Sequence, residues 1–205
     1  MKLKSPIHKT INTIDDKTVT ITRDDYGTHY TNCILYFDED VKELDDMIFT
    51  KCTFESDMYP IHLTDVTFTN CNIQNVSFED ISFRRAHFKD SLMTGFTLNN
   101  VHLKDVHFEQ CKMNLFNIAE SKFDAVSFNH VDGHDGYLYH IETKEWAISA
   151  SQLNNISIVE TKLKSIDLSD SNIDGITVNP NDLAGCMVNP FQSTALIQLF
   201  GIHVK

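Results

Sequence analysis

The sequence predicts an all-β solenoid closed at its C-terminal end by a helix. Three observations carry this: an apolar residue at every fifth position, a scarcity of hairpin-turn residues, and an amphipathic stretch after Asn189-Pro190. Stepping by five from Leu63 gives Phe68, Ile73, Phe78, Phe83, Phe88, Met93, Leu98, Leu103, Phe108, Met113, Ile118, Phe123 and Phe128. The register resumes at Leu153 with Ile158, Leu163, Leu168, Ile173, Val178, Leu183 and Val188. Only 41% of the chain is hydrophobic, so unbroken runs of this length are not chance. The chain has 7 Gly and 4 Pro, few for hairpin-built β structure, so its turns are expected mostly to avoid positive-φ residues.

Two residues before each of these positions stands a second inward candidate, usually small or β-branched: Val66, Cys71, Val76, Ile81, Ala86, Val101, Val106 and Cys111. Five is neither the helical period nor that of a plain strand. Within one unit, however, the two inward positions obey strand alternation and share a side. The next two residues must turn the chain so that the following pair again points inward. Repetition makes a polygonal coil with an apolar lumen, whose turns stack at roughly 4.8 Å and pair their backbones with one another.

Units such as Val76-Ser-Phe78-Glu-Asp80 and Ile166-Asp-Leu168-Ser-Asp170 resemble the A(D/N)LXX consensus of the pentapeptide-repeat family. The resemblance covers roughly residues 44–188. It implies four units per coil and a right-handed quadrilateral β-helix of 20-residue coils. On that spacing Cys71 and Cys111 sit two coils apart as small lumen fillers.

The organisation follows in order. Residues 1–43 read as a strand-rich N-terminal cap, with Thr18–Thr22 alternating as a strand, a turn at Asp24-Asp-Tyr-Gly27, and a second apolar run over 33–37. Residues 44–189 are the coil. Phe54 to Leu63 is one residue short of the period, which predicts a bent corner held by Pro60. Over 133–150 the register survives, but Gly133 and Thr143 occupy expected core sites and Asp135-Gly136 is a turn signal. That segment is either a projecting loop displaying Tyr137, Tyr139 and Trp146, or a widened coil plugged by them. Residues 190–205 leave the coil: Asn189 N-caps a helix with Pro190 at N1, Phe191, Leu196, Leu199 and Phe200 share an apolar face, and Gly201 stops it. A short strand is expected at 202–204.

Composition narrows the function. A net charge of −12 excludes a general nucleic-acid binder, which needs cations against phosphate. Five Cys without a C-x-x-C pair exclude a zinc ribbon or disulfide framework. No apolar run suits a membrane span, and no secretory signal opens the chain, so a cytoplasmic protein is expected. His87 and His107 fall one coil apart, but stacked His at coil spacing supply two metal ligands at most. No nucleophile motif or phosphate loop occurs. The expectation is a non-catalytic binding protein without metal or cofactor.

On 20-residue coils one side gathers His62, Asp65, Arg84, Arg85, His102, Lys104, Asp105, Lys122, Lys162 and Lys164, a mixed to basic set. Another carries Glu79, Asp80, Glu120 and Glu160, with no Lys or Arg among its repeat positions between residues 77 and 120. Such asymmetry suits one-sided docking on a cationic groove. Glu79, Asp80, Glu120, Tyr137, Tyr139 and Trp146 are therefore the candidate partner-binding residues. The stretch 176–186 running into 192–201 resembles the C-terminal end of the topoisomerase-protecting, quinolone-resistance group of the family. That resemblance implies DNA gyrase or topoisomerase IV as the partner, bound by a DNA mimic, and a homodimer through Phe191, Leu196, Leu199 and Phe200. The other reading is a scaffold that binds a different protein.

Overall fold

The computed structural model describes residues 2–55 and 62–202. It is a right-handed quadrilateral β-helix of about eight turns with one short C-terminal helix. Two consecutive sides are spanned by eight-residue strands, among them Glu43–Thr50, His62–Thr69, Ser82–Lys89, His102–Glu109, Lys122–Asn129 and Glu142–Ser149. These pair in parallel, in sequence order, within an eight-stranded sheet. The fourth side is a six-stranded sheet running from Ser77–Glu79 to Thr177–Val178. The third side is joined by single bridges such as Asn72 to Leu92 and Leu92 to Lys112.

The lumen holds the five-step residues. Phe49, Phe68, Phe88 and Phe108 stack ring on ring, with centroids 5.0, 4.6 and 5.0 Å apart. All four are at most 1% exposed, so each ring contributes its full burial to stability. Cys71 and Cys111 fill the lumen as expected, their thiols donating to the Phe49 and Phe88 carbonyls at 3.4 Å.

The corners differ from expectation. The last residue of almost every unit is left-handed, and most are not glycine: Asn70 (φ 54°), Asn75 (57°), Asp80 (56°), Arg85 (53°) and Asp90 (51°) are successive examples. The turns avoid glycine but not positive φ. Many of these corners are Asn or Asp, whose short polar side chains tolerate αL best.

The N-terminal strands stack in register with the coil. Asn12–Asp15 pairs with Thr28–Thr31, and that strand with Glu43–Thr50. Thr18–Ile21, Ile34–Phe37 and Thr53–Phe54 form a three-stranded sheet on a neighbouring side. Phe49 faces Phe68, a step one residue short of that from Phe68 to Phe88. The expected bend at Pro60 lies outside the described residues.

Residues before the first strand run back across the coils as a strap. The Lys4, Ile7 and Lys9 N–H groups donate to Asp105 (3.1 Å), Asp65 (2.9 Å) and Asp46 (2.9 Å). These aspartates are corner residues of three of four consecutive long strands, and Arg85 is the corner of the fourth. Arg85 Nε donates to Asp65 Oδ1 at 2.6 Å. Burial raises the Asp65 carboxyl, but the Arg85 guanidinium and the Ile7 N–H outweigh it and leave the pKa below its ordinary value.

Segment 133–150 stays in the coil, as strands Tyr137–Tyr139 and Glu142–Ser149. The odd core residues are half of two volume exchanges. A Cβ at Gly136 would come within 2.2 Å of the Phe116 ring, and one at Gly133 within 3.0 Å. The glycines accommodate a large residue from the coil before. Thr143 is undersized, and Trp146 fills the gap, edge-on to Phe123 (5.6 Å) and Phe128 (5.9 Å).

The open end is sealed by Pro190–Leu196. Asn189 accepts the Phe191 and Gln192 N–H groups at 2.9 and 3.0 Å, and Gln192 Oε1 accepts the Asn189 N–H at 2.8 Å. Buried Gln192 donates to the Leu168 and Ser171 carbonyls at 2.8 and 2.7 Å. A 3-10 turn, Ile197–Phe200, follows and ends at Gly201 (φ 73°). The strand expected at 202–204 falls largely on residues 203–205, outside the described residues.

Two outcomes are expected. Leu115 is an exposed branched residue at φ 59°, so Leu115→Asn should stabilise the protein by roughly 0.5–1 kcal/mol in urea unfolding. The strap's dependence on Asp65 has a definite sign. Because the folded pKa is depressed, its contribution is complete above the unfolded value of about 3.9 and is lost as pH falls through the lower folded value. Amide exchange at Ile7 should therefore accelerate in acid relative to the coil, and Asp65→Asn should produce the acceleration at neutral pH.

Candidate protein-binding face

The fourth side gathers five of the six candidate contact residues. Its strands are short, so each unit presents one residue before and two after its central lumen residue. Exposed carboxylates at Glu79, Asp80, Glu120 and Glu160 fall on it, and from 77 to 160 its outward positions include no Lys or Arg. Asn99 donates to Glu79 Oε1 at 3.0 Å and Asn100 to Asp80 Oδ1 at 2.6 Å. Asparagine amides one coil on therefore hold the acids in place without neutralising them.

Tyr137 and Tyr139 lie on the same sheet, their rings stacked at 6.3 Å and 9°. Tyr137 is 39% exposed. Both belong to a strand of the coil and not to a projecting loop. His140 Nδ1 lies 3.2 Å from Glu160 Oε2. The Glu160 charge, with burial and Glu120 adding to it, holds the Tyr139 phenol above its ordinary pKa. Glu160 and His140 thus complete the face. The signal for Glu160 was its unit position, two coils beyond Glu120.

Where this side meets the first, a corner cleft of about 480 Å³ opens. Asp80 and Glu120 stand on one wall and His62, His102 and Lys122 on the other. His102 Nε2 is buried without a partner, and that burial lowers its pKa. No sequence motif pointed to this boundary, because it joins residues from different sides of three coils.

Trp146 is the correction. It is 6% exposed and packs edge-on to Phe123 and Phe128 from the eight-stranded sheet, beside the undersized Thr143, so it is not part of the face that carries the tyrosines. The proposed dimer residues also divide. Leu196 is buried and Leu199 partly buried against the coil, where they act as the plug. Phe191 and Phe200 point outward, 90% and 57% exposed. The apolar face read from the helix is thus shared between cap and solvent.

Elsewhere, the His87 and His107 rings lie one coil apart, tilted by 58° with centroids 5.5 Å apart, and His87 Nε2 lies 2.9 Å from Glu109. No three His, Cys, Asp or Glu converge as a metal site among the described residues. No helix among them is long and apolar enough to cross a membrane.

Residues 61–135 match the family model described as Pentapeptide repeat region. No curated protein matches the chain. Among solved structures, trypsin-treated QnrB1, a plasmid-mediated fluoroquinolone resistance protein, is 11% identical with a TM-score of 0.48, covering 94% of this chain and 97% of that one. The pentapeptide repeat protein Rfr23 of the cyanobacterium Cyanothece 51142 is 11% identical with a TM-score of 0.37, over 60% of this chain and 91% of its own. HetL of Nostoc sp. strain PCC 7120, involved in heterocyst differentiation regulation, is 12% identical with a TM-score of 0.30, over 88% and 89%.

The Tyr139 environment is directly testable. Glu160→Gln removes the neighbouring negative charge, so the phenolate becomes easier to form. The Tyr139 transition in a spectrophotometric titration should move down towards the ordinary tyrosine value.

Proposed function

We propose that this chain, a pentapeptide-repeat protein, is a non-catalytic cytoplasmic binding protein that docks its acidic fourth side on a cationic protein surface. One observation carries the reading: a flat sheet side with four exposed carboxylates, two stacked tyrosines and no Lys or Arg at its outward positions from 77 to 160. Rigid tyrosines give contact area at small entropic cost, and the carboxylates steer a cationic partner and fix its register. A parallel sheet on a stiff coil is pre-organised, so little ordering opposes association.

Within this reading the partner is a type II topoisomerase, DNA gyrase or topoisomerase IV, whose DNA-binding groove is a cationic surface matched by a DNA mimic. The C-terminal sequence resemblance supports this choice. Two copies joined through exposed Phe191 and Phe200 would extend the rod. The second reading, a scaffold for another protein, is favoured by a specific observation: 133–150 lies in the coil and offers no projecting loop for a topoisomerase.

Purified protein titrated into gyrase supercoiling and quinolone-dependent cleavage assays separates the two. The topoisomerase reading expects inhibition or protection that is lost in the variant Glu79→Lys/Asp80→Lys/Glu120→Lys while its thermal unfolding stays cooperative. No effect from the folded wild-type protein overturns the topoisomerase reading. A charge-reversed variant as active as wild type overturns the acidic docking face.

A further inference from the structure

Among the described residues, the backbone ladder is interrupted on two of the four sides between Glu142–Ser149 and the coil that follows. At the start of each long strand an N–H bonds one coil back: His102 to Ile81 (3.1 Å), Lys122 to Val101 (2.8 Å), Glu142 to Ser121 (2.9 Å). Just past its end another bonds one coil on: Asp90 to Glu109 (3.0 Å), Gln110 to Asn129 (2.9 Å), His130 to Ser149 (3.0 Å). Among the described residues, the Lys162 N–H makes no such bond to Ile141, and the Ala150 N–H makes none to Ser169. The N–H groups of Leu163, Ser165 and Leu168 keep the regular forward bonds, to the carbonyls of Asp182, Gly185 and Met187, each at 2.9 Å. The eight-stranded sheet therefore ends on Glu142–Ser149, while the fourth-side sheet runs on through Ser157–Val159 to Thr177–Val178.

A cleft of about 570 Å³ opens at this seam. Lys144, Glu145 and Trp146 form one wall, and Lys162, Lys164 and Ser165 the other. That volume lies within the range of ordinary ligand sites. Lys144 and Lys162 are held at the lips by Asp124 (3.1 Å) and Asp182 (2.7 Å), whereas Lys164 has no acidic partner among the described residues. The Trp146 indole N–H, on a side chain that lines the cleft, is buried without an acceptor.

We propose that the edge of Glu142–Ser149 is a strand-addition site, taking an extended acidic segment of a partner protein. An unpaired parallel edge supplies main-chain donors and acceptors for such a segment. Lys164 takes one of its carboxylates. Edge lysines also oppose pairing with an identical edge, so the seam refuses a second copy of this chain. The site lies away from the acidic side, and it stands or falls independently of that face.

Trp146 is the only tryptophan, so its emission reports on this cleft alone. The probe is a blocked octapeptide of alternating Thr and Val with one central Glu. It should change Trp146 emission saturably and slow amide exchange across 143–149. Lys164→Glu, and a peptide with Lys in place of Glu, should each weaken binding at least about tenfold, and N-methylating alternate peptide amides should abolish it. Lys164→Ala provides a milder second variant with the same direction. No emission change up to millimolar peptide overturns the proposal. Equal affinity for the Lys or N-methylated peptide does so too. An emission change that depends on protein concentration without peptide would assign the edge to a second copy and likewise overturn it.

Discussion

Each unit of the coil must turn at its last residue, and the backbone there is left-handed. The constraint recurs along the coil at residues such as Asn70, Asn75, Asp80, Arg85 and Asp90, with glycine at only a few of these corners, Gly95 and Gly175 among them. A non-glycine residue in αL is held against its steric preference, and the surrounding structure must over-determine it. Two things do so here. The lumen residues on either side of most corners are buried, and corner N–H groups bond to carbonyls one coil on, as Asn70 does to Lys89 and Asp80 to Asn99. The corners also set the outer surface. Side chains there stand in columns one coil apart, so Asp46, Asp65 and Asp105 accept a strap, and Asp80 accepts an amide from Asn100.

Because the coil spacing is fixed by backbone pairing, variation in residue size is absorbed inside. Phe116 is offset by Gly133 and Gly136, and Thr143 by Trp146. The outer sheet stays flat through these exchanges, which is why Tyr137 and Tyr139 remain in line with the carboxylates of neighbouring coils. A glycine pair that resembles a loop signal therefore marks a place where one coil makes room for another.

The adaptation is less complete one coil later. The regular left-handed corner is absent at Glu145, the strand register shifts opposite Asp124, and two sides of the next coil bond forward without bonding back. The third and fourth sides carry the continuity across this seam. The molecule thus has two continuous sides, one of them acidic, and two sides interrupted at a seam of mixed charge.

Much of this was legible in the sequence. The five-residue period assigned the lumen residues, because inward and outward positions alternate within a few bonds of each other. Asn189, Pro190, Gln192 and Gly201 marked the closing helix for the same local reason. The acidic side was readable once 20-residue coils were assumed, since Glu79, Asp80, Glu120 and Glu160 then share a face. The burial of Trp146, the path of the strap over Asp46, Asp65 and Asp105, the division of the C-terminal apolar residues between plug and surface, and the seam at Glu142–Ser149 were decided by the tertiary structure alone. Each depends on volumes and hydrogen bonds summed between residues about 20 or more positions apart, and a local pattern does not carry that sum.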